Sequence, residues 1–152
     1  MLARDRMEAS IEIKAPPEKV WALLAWDRVQ EWEEGYRKNL QSLAYTSPVS
    51  TLEDKYNVGT TAHVVLKQEE SDLEITESIQ HETLTFHSKG KRLNAIITYR
   101  LEPVDAGAKF TYIVDYEIPL GLLGRVLART MKGSGEREVK RSLETLKSLV
   151  EK

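Results

Sequence analysis

Cysteine is absent from all 152 residues. That excludes disulfides, thiolate metal sites and a cysteine nucleophile, and it is compatible with residence in the cytoplasm. No apolar run approaches the roughly 18 residues that a membrane-spanning helix needs. The N-terminal MLARDRMEAS has positive charges but no apolar stretch behind them, so no secretory signal is expected. Neither sign of charge dominates: 22 basic and 24 acidic residues leave a formal net charge of -2. A nucleic-acid backbone favours a concentrated basic surface. The one basic-leaning stretch, 125–141, is interrupted by Glu136 and Glu138. Internal repeats, low-complexity tracts and Gly, Ser or Pro linkers are missing as well. These absences leave one domain over 1–152, in the cytoplasm, with no nucleic-acid partner and no stable membrane insertion.

Against that background, 41% hydrophobic and 30% charged residues describe a globular chain long enough to bury its own core. Residues 7–14 alternate, with Met7, Ala9, Ile11 and Ile13 on one face, which predicts a half-buried strand. Ala15-Pro16-Pro17 ends it. Proline near a first helical position sacrifices no needed N–H, and Glu18 suits the dipole of a helix start. Val20, Leu23 and Leu24, with Trp21 beside them, make a short amphipathic helix. Asp27 can cap a second one over 28–34, with Gly35 as its stop. Strands are expected at 36–46, 60–67, 72–79, 83–88, 93–101 and 109–118, joined by short turns that make neighbours antiparallel.

The last strand has the cleanest alternation, with Phe110, Tyr112, Val114, Tyr116 and Ile118 facing one way. After Pro119 the pattern turns helical. Val139, Leu143, Leu146 and Val150 form one stripe, and the glycines of 133–135 predict a break or kink.

The order is strand, two short helices, about six strands and a long helix. Several stretches carry a resemblance with it: IEIKAPPEKVWALLAWDRVQEW at 11–32, VGTTAHV at 58–64, ITESIQHETLTF at 75–86, ITYRLEPVDAGAKFTYIVDYEIP at 97–119, and LGLLGRVLAR with the stripe after it. Together they resemble the START-like (SRPBCC) superfamily, in its polyketide cyclase/dehydrase and lipid-transport branch. The resemblance implies an α+β helix-grip fold. A curved antiparallel sheet of about seven strands wraps a long C-terminal helix, with a small-molecule cavity between them. Fold alone does not choose among the receptors, carriers, cyclases and chaperone cofactors of such a superfamily. No Rieske cysteines or carboxylate–histidine iron triad is visible, which excludes a complete ring-hydroxylating oxygenase.

In that architecture the inward set is Ala62, Val64, Leu66, Leu73, Ile75, Glu77, Leu84, Phe86, Ser88, Ile97, Tyr99, Leu101, Phe110, Tyr112, Val114 and Tyr116. An apolar wall with a few polar groups suits a lipophilic ligand, although the same side chains can simply fill a core. The expected ligand-binding residues are Val64, Leu66, Ile75, Glu77, Phe86, Ser88, Ile97, Tyr99, Tyr112, Val114, Tyr116, Leu123, Val126 and Met131. Leu122, Leu123, Val126 and Met131 are expected to gate access beside the mobile break at 133–135. Glu77 is the sharpest residue, because a carboxylate on an apolar wall has a raised pKa and can move protons. Its competing role is a structural ion pair. His63 and His87 are expected on outward faces and His81 in a turn, so they do not converge as metal ligands must. No cofactor is implied. Ser88, Ser134 and Ser142 lack a histidine partner and a nucleophile-elbow sequence. Trp21 and Trp32 take packing positions of the family, while Trp26 is expected near an opening.

The favoured function is binding or carriage of a hydrophobic or aromatic small molecule, by a monomer or homodimer. The first alternative is a cyclase or dehydratase using Glu77 and Tyr112. The second is a protein-interaction module, for which Val65, Ile96 and Ile113 are the outward apolar residues.

Overall fold

The computed structural model describes residues 2–91, 93–119 and 122–152, apart from the side chains of 2–3, 118–119 and 122–131. The first strand, β1 (Leu2–Ile13), lies at one edge of a seven-stranded antiparallel sheet. Strands β2 (Leu40–Tyr45), β3 (Thr61–Leu66), β4 (Glu69–Ile79), β5 (Thr83–Gly90), β6 (Asn94–Val104) and β7 (Gly107–Pro119) follow as a meander, in the order β1-β7-β6-β5-β4-β3-β2. The chain therefore crosses from one sheet edge to the other between β1 and β2. It does so through α1 (Pro17–Trp21), α2 (Trp26–Val29) and α3 (Glu34–Asn39). The long helix α4 (Leu122–Val150) then packs against β1 and β7. Among the described residues no helix is long and apolar enough to cross a membrane.

Local chemistry explains the elements. The β3–β4 hairpin turns through Lys67 and Gln68, both at positive φ, which gives the twist that a two-residue hairpin needs. Gly107 follows the two-residue turn between β6 and β7 at φ +150. A Cβ there would lie 2.4 Å from the Ile13 carbonyl oxygen and 2.6 Å from the Ala15 nitrogen. Only glycine lets the β6–β7 turn close on the end of β1.

Three expectations change. First, Gly35 does not stop a helix; it lies in the first turn of α3. The Glu33 carboxylate accepts hydrogen bonds from the Gly35 N–H (3.1 Å) and the Tyr36 N–H (3.0 Å), so this point is a helix start. The segment 36–39 is consequently helical, and β2 begins at Leu40. Second, α4 continues through 133–135 without a break. A Cβ at Gly135 would meet the Met7 sulfur at 2.3 Å, so this glycine permits close approach of α4 to β1. Third, the helix expected over 28–34 is α2 at Trp26–Val29, so Asp27 lies in its first turn instead of capping it. The connection 47–57 contains a 3-10 turn, Glu53–Tyr56. It docks by the Tyr56 hydroxyl on the Trp21 carbonyl (3.0 Å), with the two rings stacked at 5.0 Å.

The core runs from Val20, Leu24, Val29 and Trp32 across the inner sheet face to Val139, Leu143 and Leu146 of α4. The Trp32 indole N–H donates to the Leu23 carbonyl (2.7 Å), consistent with the packing role expected of it. Ser142 is fully buried. Its hydroxyl accepts from the Glu34 N–H (2.9 Å) and donates to the Glu138 carbonyl (2.8 Å), stitching α3 to α4. The end of α4 is tied to β1 where Lys14 N–H donates to Glu151 (2.8 Å) and Lys147 donates to the Glu12 carbonyl (3.1 Å).

Two expected outcomes follow from this frame. Gly107→Ala forces a side-chain carbon onto backbone atoms that cannot rotate away, so the chemical-denaturation midpoint should fall by the equivalent of about 3 kcal/mol. His63 faces outward between two carboxylates, Asp72 on Nδ1 (2.8 Å) and Glu70 on Nε2 (3.1 Å). With both ring nitrogens donating, the imidazolium is favoured and the pKa is raised, chiefly by Asp72 and then Glu70. The stabilising effect is present in full below the unfolded histidine pKa of about 6.5 and fades as pH rises through the higher folded value. The melting-temperature gap between wild type and His63→Gln should therefore be widest near pH 5.5 and close in alkaline buffer.

Candidate functional site

The inner sheet face holds most of the expected wall. Val64, Ile75, Phe86, Ile97, Tyr99 and Tyr112 are buried in the core, and Leu66 and Val114 pack partly buried against it. Ser88 and Tyr116 lie at the far end of the same face. Leu123, Val126 and Met131 lie outside the residues whose side chains are described, as does Leu122. Trp26 is buried rather than near an opening. It stacks on Tyr45 (5.9 Å) and meets Phe86 edge-on (5.6 Å). Of the outward apolar residues Ile96 is exposed, Val65 half-buried and Ile113 buried.

Glu77 is not on that wall. Strand β4 carries a bulge between Ile75 and Glu77: Ile75 pairs with Phe86, but Glu77 pairs with Thr85 rather than Leu84. One extra residue, Thr76, reverses the alternation beyond it. Glu77 therefore faces water, and Ser78 takes the inward place opposite Leu84. The desolvated sheet carboxylate on which the enzymatic alternative depended does not exist.

A different carboxylate, the half-buried Glu33, borders the core. Glu33 caps α3 and neighbours Trp32, whose ring meets Tyr99 (5.6 Å), Phe110 (5.8 Å) and Tyr112 (6.0 Å) edge-on. Tyr99 and Tyr112 are direct cross-strand partners, with ring centroids 5.3 Å apart. Burial pushes the Glu33 pKa up, against the opposing pull of the Gly35 and Tyr36 amides. Burial also holds the Tyr99 and Tyr112 hydroxyls well above the usual tyrosine value, and the Glu33 charge adds to both shifts. Tyr36 is raised for the same two reasons.

At the open end of this face Asp5, Tyr116, Ala95 and Ser88 form one row across β1, β7, β6 and β5. A recess of about 580 Å³ adjoins this row and is lined mostly by the two flanking rows, Arg4, Glu117, Asn94 and Lys89 and Arg6, Asp115, Ile96 and His87, whose side chains alternate to the outer face. Tyr116 is 4% exposed, and its hydroxyl has no partner among the described residues. Lys132 of α4 reaches Asp5 (3.0 Å) beside it. A smaller recess of about 300 Å³ lies between α2 and β2 and includes Trp26, whose indole N–H is also unpartnered among the described residues. No group of three or more metal-ligating side chains occurs among the described residues.

A curved sheet closed over one long helix, with tyrosines on its inner wall, defines the helix-grip class. The family model described as polyketide cyclase / dehydrase and lipid transport matches residues 4–151. The chain belongs to that family. A search of curated proteins gave no match. Among solved structures the chain is similar to TTHA0849 from Thermus thermophilus, with a TM-score of 0.71 and 20% identity over 96% of this chain and 97% of that one. It is also similar to SA2116 from Staphylococcus aureus, a protein of unknown function, with a TM-score of 0.75 and 9% identity over 99% and 95%. Ara h 8.0201 aligns with a TM-score of 0.60 and 16% identity over 97% and 98%. At these identities the likeness concerns the fold.

Glu33 escaped the sequence pattern because glutamate is not a favoured cap and Gly35 two residues on reads as a stop. Its raised pKa has a measurable consequence. The protonated form is favoured on folding, so this contribution to stability is complete below the unfolded glutamate pKa of about 4.3 and is lost as pH rises through the folded value. Relative to Glu33→Gln, the wild type should be most stable in acid and lose that advantage toward neutrality, as read from paired urea titrations between pH 4 and pH 8.

Proposed function

We propose that the protein binds a hydrophobic or aromatic small molecule between the inner sheet face and α4. One observation carries this. Tyr116 is buried at the open end of the inner face, yet its hydroxyl has no partner among the described residues. Buried hydroxyls are normally satisfied. The apolar wall around Ile97, Phe86 and Val114 supplies the burial energy, at roughly 25 cal/mol per Å² of apolar surface removed from water. Tyr99, Tyr112, Tyr116 and Ser88 orient the ligand. Family membership is compatible with carriage and with cyclase chemistry alike. The enzymatic version would draw its carboxyl from Glu33, because that group is raised by burial and close enough to influence two tyrosines.

Binding is measured by titrating purified protein with a neutral naphthalene dye and counting bound molecules by native mass spectrometry. The expected result is saturable uptake of one dye per chain. Ala95→Phe, which adds bulk to the inner row beside Tyr116, should weaken uptake at least about tenfold, the equivalent of roughly 1.4 kcal/mol. Non-saturable uptake, or a plugged variant that binds as tightly as wild type, removes the proposal.

A further inference from the structure

The two edges of the sheet are built differently. The β1 edge carries Arg4, Asp5, Arg6, Glu8 and Glu12, all exposed, and the end of α4 is tied to it through Glu151 and Lys147. Charges and covering elements keep an edge strand from pairing with another chain. The β2 edge has a different composition. In a chain that is 30% charged, residues 39–52 contain no Lys, Arg, Asp, Glu or His, and β2 lies wholly inside that run. A recess of about 300 Å³ lies between residues 40–43 and α2, so the helix does not close over them. Asp27, which borders the recess, is already paired with Lys55 (2.6 Å).

The register of β2 tells which of its backbone groups are free. Thr46 N–H donates to the Thr61 carbonyl (2.9 Å), and Lys67 N–H donates to the Asn39 carbonyl (2.9 Å). Antiparallel ladders alternate, so Ala44, opposite His63, and Ser42, opposite Val65, also turn their backbone groups to β3. Leu43 and Tyr45 turn theirs to the open edge. Free N–H and C=O groups along an edge are a template for another strand. The side chains permit close approach. Ser42, Ala44 and Thr46 are exposed on the outer face, and Leu43 and Tyr45 are half-buried on the inner one.

We propose that the protein forms a two-fold dimer by antiparallel pairing of β2 with β2 of a second copy, centred on Ala44. Leu43 of each copy exchanges both backbone hydrogen bonds with Tyr45 of the other. Ala44 meets its own copy at the close, non-hydrogen-bonded position, where Cα atoms stand about 4.5 Å apart. A methyl group fits there. A two-fold axis sets the same patch of each copy against itself, so a charge beside the axis would meet its like. The uncharged run is what such an axis requires, and it favours a second copy over a strand of another sequence.

Sedimentation equilibrium over a concentration series reaching the high micromolar range should give a reversible monomer–dimer equilibrium. Hydrogen exchange in the same series should show the Leu43 and Tyr45 amides protected at high concentration and exchanging freely on dilution. Ala44→Lys and Ala44→Glu each set like charges face to face, so each should weaken dimerisation about fivefold or more. An equimolar mixture of the two variants should regain association, because Lys then faces Glu. That rescue is specific to an axis beside residue 44. A wild type that stays monomeric with unprotected edge amides overturns the inference and leaves the edge to a strand of another protein. A dimer indifferent to either charge, or one that mixing does not rescue, overturns it as well. Circular dichroism checks that the variants fold, and the exchange experiment needs no variant.

Discussion

The apolar stripe of α4 needs cover, and the inner face of the sheet is what provides it. Val139, Leu143, Leu146 and Val150 are all buried, each worth roughly 1.5–3 kcal/mol when removed from water. A flat sheet offers too little surface to enclose a helix of 29 residues. Curvature and the pairing of β1 with β7 bring a trough under it, and Gly135 lets the helix descend until it touches Met7. The crossing through α1, α2 and α3 then closes one end of the trough with Leu24, Val29 and Trp32. Tyr99 and Tyr112 are placed by that enclosure.

The two ends of α4 are held by different means. Toward its C-terminus, Ser142 links buried backbone groups of α3 and α4, and Glu151 and Lys147 hold backbone groups of β1. Hydrogen bonds that satisfy buried backbone are costly to lose. Near Tyr116 the described contact is the pair between Lys132 and Asp5, both well exposed, and such pairs contribute little.

How much of this was legible in the sequence depends on whether a feature is periodic. The alternation of β7 and the stripe of α4 set the helix-grip fold in advance, because periods of two and near 3.6 report directly on burial. Glu77 shows where that logic stops. A single extra residue at Thr76 leaves the alternation of β4 looking regular in sequence while it reverses the faces in space, and nothing in the residue types of 75–79 marks the bulge. Glycine misled in two different ways. Gly35 looked like a stop because the cap before it is an unusual one, and the pair in 133–135 looked like a break because close packing against Met7 is a tertiary fact. The inner wall could be listed in advance, whereas its polar centre could not, since Glu33 comes from a helix start outside the alternating strands.

That origin bears on how such a chamber acquires its chemistry. The strands contribute hydroxyls and apolar surface, which any ligand of suitable shape can use. The charge comes from the segment that links β1 to β2. Burying a carboxylate is expensive unless hydrogen bonds attend it, and here the first turn of α3 supplies two amides that need an acceptor in any case. A structural requirement of the helix thereby offsets part of the cost of a negative group beside two tyrosines. Moving the carboxylate to the sheet, as at Glu77, would offer it no such amides, because strand amides are already committed to their neighbours. The chain carries this acid at a place where the backbone has donors to spare, because that is where α3 begins.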